Sequence, residues 1–271
     1  MRINFPGPVP LEAISFLKGK GLKVGFSYLD VWREEHAYSF TVAKAMELDV
    51  LRTIRDETVR ALSEGRTFAQ FKKDLTPALQ RLGWWGEKEV VDPLTGRTKT
   101  AQLGSPRRLK TIYDTNMRQA RSAGQWDRAQ RTKKALPYLR YGLGPSLEHR
   151  MEHAAWEGMT LPVDHPWWDT HMPMNGWGCK CNVRQVGQRE MDRNGWTVSE
   201  PPPVKRREWI NKRTGEAQMV PEGIDPGFDY NPGKDRGRQM DKMIKGKLQE
   251  ADPVIARAAQ KNIAEYRKMD S

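Results

Sequence analysis

Both cysteines of the chain, Cys179 and Cys181, and four of its five histidines, His149, His153, His165 and His171, fall between Glu148 and Val183; His36 lies outside. Thiolate and imidazole are the donors zinc prefers in a tetrahedron, so His153, His171, Cys179 and Cys181 form the set that would hold a structural ion. The C-x-C spacing is shorter than the usual C-x-x-C knuckle, because alternate residues of an extended segment point the same way without a tight amide turn. The plainer reading is a pair of buried thiols packed against Trp177, with His153 hydrogen-bonded in the core. On sequence alone both readings stay open, and the cofactor expectation is either none or a structural zinc. A bridge between i and i+2 would be strained, so no disulfide framework is expected and the chemistry fits a reducing cytoplasm.

The same stretch contains His149-Arg-Met-Glu152-His153, a match to H-x-x-E-H, in which two histidines one helical turn apart hold zinc and the glutamate activates water. Such a pattern arises readily by chance. Here it sits between Gly144-Pro145 and Gly158, with room for only a short helix and no evident distal carboxylate. A metal-dependent hydrolase centred on His149, Glu152 and His153 is therefore kept as the alternative to a non-enzymatic protein. No G-x-S-x-G, Walker A or G-x-G-x-x-G is present, so no catalytic residue is assigned and nucleophile-based hydrolase, nucleotide and dehydrogenase readings have no motif behind them.

These side chains need elements to hold them. Pro137 to Leu143 reads as a strand entering the module and Cys181 to Val186 as one closing it, with Trp156, Trp167, Trp168 and Trp177 packing an irregular loop between them. Arg150 should tie that loop through backbone carbonyls or an acid such as Asp164 or Asp169. Upstream, a helix is expected from Asp30 to about Met46 and another from Glu47 to Glu64, stopped by Gly65. Thr67-x-x-Gln70 is a capping box for a third helix, which Pro77 should kink. Trp32, Phe40, Phe68 and Phe71 then suggest a helical unit with a docking face. Residues 84–104 read as an inserted β-hairpin. R-E-W-I-N and A-Q-M-V around K-R-T-G read as another. After a loop rich in Gly and Pro, helices are expected from Arg238 to Glu250 and from Asp252-Pro253 onward.

Ser105-Pro106 starts the longest helix, expected to reach about Ala135. Leu109, Ile112, Tyr113, Asn116, Ala120, Ala123 and Gly124 share one side at 100° per residue, and Arg107, Lys110, Arg118, Arg121 and Arg128 share the other. Arg107 to Lys134 holds nine lysines and arginines against Asp114 and Asp127. A solvated face explains part of this. So few acids in a like-charged stripe also favour phosphate, hence non-specific nucleic acid.

Arg150, His153 and Gly158, the Pro-rich loop with paired tryptophans, and N-G-W-G-C-K-C with Trp177 resemble the signature of the phage Mu F-like minor head proteins, the phage head morphogenesis family. G-F-S-Y-L-D-V-W-R-E-E-H-A-Y-S-F-T-V-A-K-A near the start, L-G-W-W-G mid-chain and P-E-G-I-D-P-G-F-D-Y-N-P-G near the end extend the resemblance over most of the chain. Arg150 and His153 are matched positions and His149 is not. The resemblance implies a non-enzymatic minor head protein that acts in capsid assembly near the portal. Its partners would be portal and capsid proteins, and its place the host cytoplasm during assembly and then the virion head.

Composition agrees with a nucleic-acid or acidic-surface neighbour: 46 Lys and Arg against 34 Asp and Glu give a net charge of +12 over 271 residues. Met1 to Pro10 lacks the apolar run of a signal peptide, and nothing approaches a membrane span. The expected fold class is α+β: a helical region at 1–83, the hairpin at 84–104, a signature domain at 105–200 with the long helix and the compact Cys/His/Trp module, and a hairpin, loop and C-terminal helices at 201–271.

Overall fold

The computed structural model describes residues 10–269, so the expectation for Met1 to Val9 lies outside the described residues. The fold is α+β. α1 (Leu11–Lys18) leads to β1 (Gly21–Leu22), a 3-10 turn (Tyr28–Asp30), α2 (Glu35–Tyr38) and β2 (Ser39–Phe40), which pairs parallel with β1. α3 (Leu48–Ser63) and α4 (Phe68–Arg81) follow, then the antiparallel hairpin β3 (Glu87–Val91) and β4 (Thr98–Gln102). α5 (Pro106–Thr132) crosses the molecule over about 40 Å, at about 1.5 Å per residue. Beyond it come β5 (Tyr138–Gly142), α6 (Met151–Ala155), β6 (Thr160–Pro162), α7 (Trp168–His171), β7 (Asn182–Val186) and α8 (Gln188–Asn194). The chain ends in the hairpin β8 (Arg206–Ile210) and β9 (Ala217–Pro221), then α9 (Pro232–Glu250) and α10 (Pro253–Met269).

The local reasons for the long elements are those visible in the sequence. Thr67 and Gln70 satisfy each other's backbone amides in the capping box of α4, and Pro77 neither ends nor splits that helix. Ser105 accepts from the Arg108 amide, and Pro106 takes the first turn of α5, where no amide donor is needed. Gly65, at φ +65°, ends the turn after α3.

Two expectations differ, and one short strand was not expected. Asp30 to Met46 is not a helix: Ser27 caps the short turn and the Asp30 carboxylate accepts from the amides of Phe26 and Ser27, so Asp30 closes a capping box and starts nothing. Arg33 and Lys44, both at positive φ, and the β-branched pair Thr41-Val42 between them suit a folded strap better than a helix. α9 starts at Pro232, not Arg238, because Asn231 accepts from the amides of Gly233 and Lys234 ahead of that proline. β6, three residues long, lacked a legible period; it pairs antiparallel with β5, which pairs antiparallel with β7 on its other side.

α5 is a wall of both hydrophobic cores. Its first half, Leu109 to Ala123, packs with α1, α3, α4, Phe40 and Trp84; its second half, Trp126 and Ala129, packs with the β6-β5-β7 sheet and the tryptophan loop. Packing therefore runs across the expected boundaries at 83 and 104. The docking face expected of Trp32, Phe40, Phe68 and Phe71 is not presented. Phe40 and Phe71 are fully buried, Phe68 lies against Tyr113 of α5, and Trp32 stacks on Trp209 of β8 at 5.2 Å.

Close approach of α1 to α5 depends on Gly124, where an added Cβ would stand 3.0 Å from the Ala13 backbone nitrogen. Gly124→Val is expected to cost about 2 kcal/mol or more by overpacking, read as a lower urea midpoint. Gly246→Ala in α9 meets nothing within 4 Å among the described residues and is expected to gain about 0.5–1 kcal/mol, as for a helical glycine with open space.

Candidate functional site

The C-x-C segment enters β7 beside β5, and α6 packs over it. Lys180 points outward, while its neighbours Cys179 and Cys181 turn inward, as alternation in extended chain requires. The segment approaches the turn after β5 so closely that a side chain at Gly144 would meet the Lys180 carbonyl. Glycine is needed there.

His153 on α6 faces both sulfurs: its Nδ1 lies 3.5 Å from Cys181 Sγ and 3.9 Å from Cys179 Sγ. The ligand atoms of His153, Cys179 and Cys181 all lie within 4.8 Å of one another. The opposite ring nitrogen, Nε2, is 2.8 Å from the Gly223 carbonyl, and the ring stacks on Trp156 at 5.0 Å. A carbonyl only accepts, so Nε2 carries the hydrogen and Nδ1 presents its lone pair to the thiols. The hydrogen bond from Cys179 lowers the Cys181 thiol to about 6, and the same bond with burial pushes Cys179 up to about 12.

His171 does not join them. It is buried, stacks on Trp167 at 4.2 Å and shares a hydrogen bond with Thr170 Oγ1, and burial lowers its pKa to about 4. Trp177 is not the lid of the thiols either: it is 40 % exposed and packs edge-on with Tyr28 and Phe228. His149 precedes Arg150, the cap of α6, and is exposed, so His149 and His153 do not share a helical face and the H-x-x-E-H pair is not assembled. The His165 Nδ1 accepts from the Trp167 amide.

Arg150 reaches neither Asp164 nor Asp169. Those acids pair with Lys133 and Lys234, and Arg150 instead meets Asp225 at 2.9 Å, 75 residues along the chain. Asp225 also accepts from the Trp177 amide at 2.7 Å, and its own amide donates to Asn175 O. Asn175, fully buried, accepts from the Tyr141 hydroxyl at 3.0 Å. Gly158 takes φ +78°, and its carbonyl accepts from Arg140. Asp225, the partner of Arg150 and of the Trp177 amide, was not among the residues expected from the sequence. It lies in P-E-G-I-D-P-G, which carries part of the resemblance, but nothing local in that run names Arg150 as its partner.

The basic stripe of α5 divides. Arg118 turns inward and donates to the Cys179 carbonyl at 2.6 Å, fastening the C-x-C segment to the helix. Lys110 pairs with Asp114 at 2.6 Å. Arg107, Arg121 and Arg128 are exposed. At 100° per residue these three fall within an arc of about 60°, over about 32 Å of helix.

A separate cavity of about 220 Å³ lies between α5 and the N-terminal strap, lined by Lys20, His36, Trp32, Thr41 and Asn116 among others. Trp32 Nε1 and Thr41 Oγ1 have no hydrogen-bond partner among the described residues. Burial, with Arg236 nearby, lowers Lys20 to about 7. His36 falls to about 4, through burial and then the Lys20 charge.

A mixed α+β chain with this module matches a known family of phage proteins. Residues 52–184 match the model described as Phage Mu protein F like protein, and on that span the chain belongs to the family. It is 37 % identical over 241 residues to the putative capsid assembly protein F of Escherichia phage Mu, covering 83 % of this chain and 54 % of that one. It is 33 % identical over 199 residues to the Mu-like prophage FluMu F protein of Haemophilus influenzae, covering 72 % of this chain and 47 % of the relative. The chain thus spans about half the length of the curated relatives it matches. No solved structure matches it.

Asp225→Ala removes the ion pair of Arg150, which keeps only its bond to the Gly223 carbonyl, and takes the acceptor from the Trp177 amide. A loss of about 1–3 kcal/mol in unfolding free energy is expected, with a larger loss of near-ultraviolet than of far-ultraviolet circular dichroism on mild heating. Lys20 adds a pH dependence. Its folded pKa of about 7 lies below the ordinary 10.5, so between those values the unfolded chain binds the extra proton and stability rises with pH. The slope is up to about 1.4 kcal/mol per pH unit. Lys20→Met should be more stable than wild type at pH 7 and should lose that rise, as read by thermal unfolding from pH 7 to 10.

Proposed function

We propose that this chain is a minor head protein of a phage or prophage and acts, without catalysis of its own, in capsid assembly near the portal. The observation that carries this reading is similarity over 83 % of the chain to a protein named for capsid assembly. The separation of His149 from the His153 group favours it over a hydrolase. Its partners would be portal and capsid proteins, with the host cytoplasm as its place during assembly and the head as its destination. No described helix is long and apolar enough to cross a membrane.

The direct test is genetic and biochemical. A phage lacking the protein should yield fewer filled heads, and a tagged copy should restore them and co-purify with nuclease-treated particles. Normal yields without it, or its absence from purified heads, would remove the reading.

A second reading, contact with packaged DNA, rests on the exposed Arg107, Arg121 and Arg128. With Lys110 paired and Arg118 turned inward, the stripe offers three phosphate contacts where five were expected. Log affinity should therefore fall with log salt at a slope of about −2.7, at about −0.9 per contact. The triple replacement by Gln should flatten most of that slope and weaken any duplex equally. Undiminished binding by the triple variant would assign the stripe to solvent or to an acidic protein surface.

A further inference from the structure

We propose that His153, Cys179 and Cys181 bind one zinc ion, which locks the C-x-C segment to α6 and through it to the loop at Gly223. The assignment rests on geometry and does not depend on the capsid reading.

A tetrahedral zinc with Zn–S of about 2.3 Å and Zn–N of about 2.0–2.1 Å places nitrogen and sulfur about 3.5 Å apart, and its two sulfurs about 3.8 Å apart. The observed Nδ1 to sulfur separations are 3.5 Å and 3.9 Å, and all three ligand atoms fit within 4.8 Å. The ion would enter with little movement of the backbone.

A ligating imidazole usually donates its other N–H to a carbonyl or carboxylate, which fixes the tautomer and aims the lone pair. His153 makes that bond at 2.8 Å to the Gly223 carbonyl. Gly223, at φ +81°, sits against Glu152 and Trp156 so closely that a Cβ would stand 2.7 Å from each side chain. The loop that aims the histidine is itself built for that approach. Arg118 holds the carbonyl of Cys179 from the other side, so neither end of the donor set is loose.

Two thiolates and an imidazole select zinc over the oxygen-seeking cations. No further His, Cys, Asp or Glu among the described residues completes the group, so the fourth position falls to water. Cys181 is only partly buried, which leaves that position a route to solvent. The ligand set thus differs from the one expected from sequence, with His171 excluded by its place on Trp167.

The test uses the whole chain. Protein purified from zinc-containing medium should carry one zinc by elemental analysis. After removal of that zinc, titration with cobalt(II) should give sulfur-to-metal charge-transfer absorption in the near ultraviolet that saturates at one equivalent. Cys181→Ser should lose that absorption's strength and the stoichiometric zinc, whereas His149→Ala, at an exposed position outside the group, should keep both. The cobalt titration of wild type is informative even if a variant fails to fold. Metal-free protein with no charge-transfer band overturns the site, and loss of metal in His149→Ala overturns the ligand assignment.

Discussion

Irregular chain cannot be buried unless its amides and carbonyls find partners, and the tryptophan-rich module is mostly irregular chain. Around its three-stranded sheet, the helices α6 and α7 are five and four residues long. Some backbone groups of the loops between them bond to nearby backbone, and others are satisfied by side chains arriving from elsewhere. Arg118 of α5 serves the Cys179 carbonyl, Arg140 of β5 serves Gly158, and Asp225 serves the Trp177 amide while pairing with Arg150. Asn231 caps α9 and donates to the Trp168 carbonyl from the same buried position. Each tie joins segments distant in sequence.

α5 makes this arrangement possible because it is long and has two different faces along its length. Small residues at Ala120, Ala123 and Gly124 let α1 lie close, while Trp126 further on fills the second core and packs against Gly233 at the start of α9. A helix used on two sides cannot keep a uniform basic back. Arg108 turns to the carbonyls of Gln102, Leu103 and Ala43, and Arg118 to those of Gly178 and Cys179. Their charge serves the fold, and the surface available to an outside phosphate shrinks accordingly.

What could be read from the sequence follows from the range of the interaction. Caps at Thr67 and Ser105, the two hairpins and the strands flanking the module depend on residues a few positions apart, and all were legible. Cys179, Cys181 and His153 were legible as a donor set because their chemistry is distinctive. His171 shares that chemistry and was misplaced, since only tertiary packing against Trp167 separates it from the thiols. The Arg150–Asp225 pair, 75 residues apart, carries no local signal at either end. The stretch from Asp30 to about Met46 was read as helix because its apolar spacing permits one; positive φ at Arg33 and Lys44 and the turn closed by Asp30 decided otherwise.

This irregular module is held as one unit with the long helix, partly through side chains that satisfy its backbone. Amide hydrogen exchange resolved along the chain tests it most directly. The amides of Trp177, Cys179, Asp225 and Phe228, each bonded within the module, should exchange as slowly as those in the middle of α5 and should lose protection together with it as denaturant rises. Rapid exchange at these four amides while α5 remains protected would contradict the account.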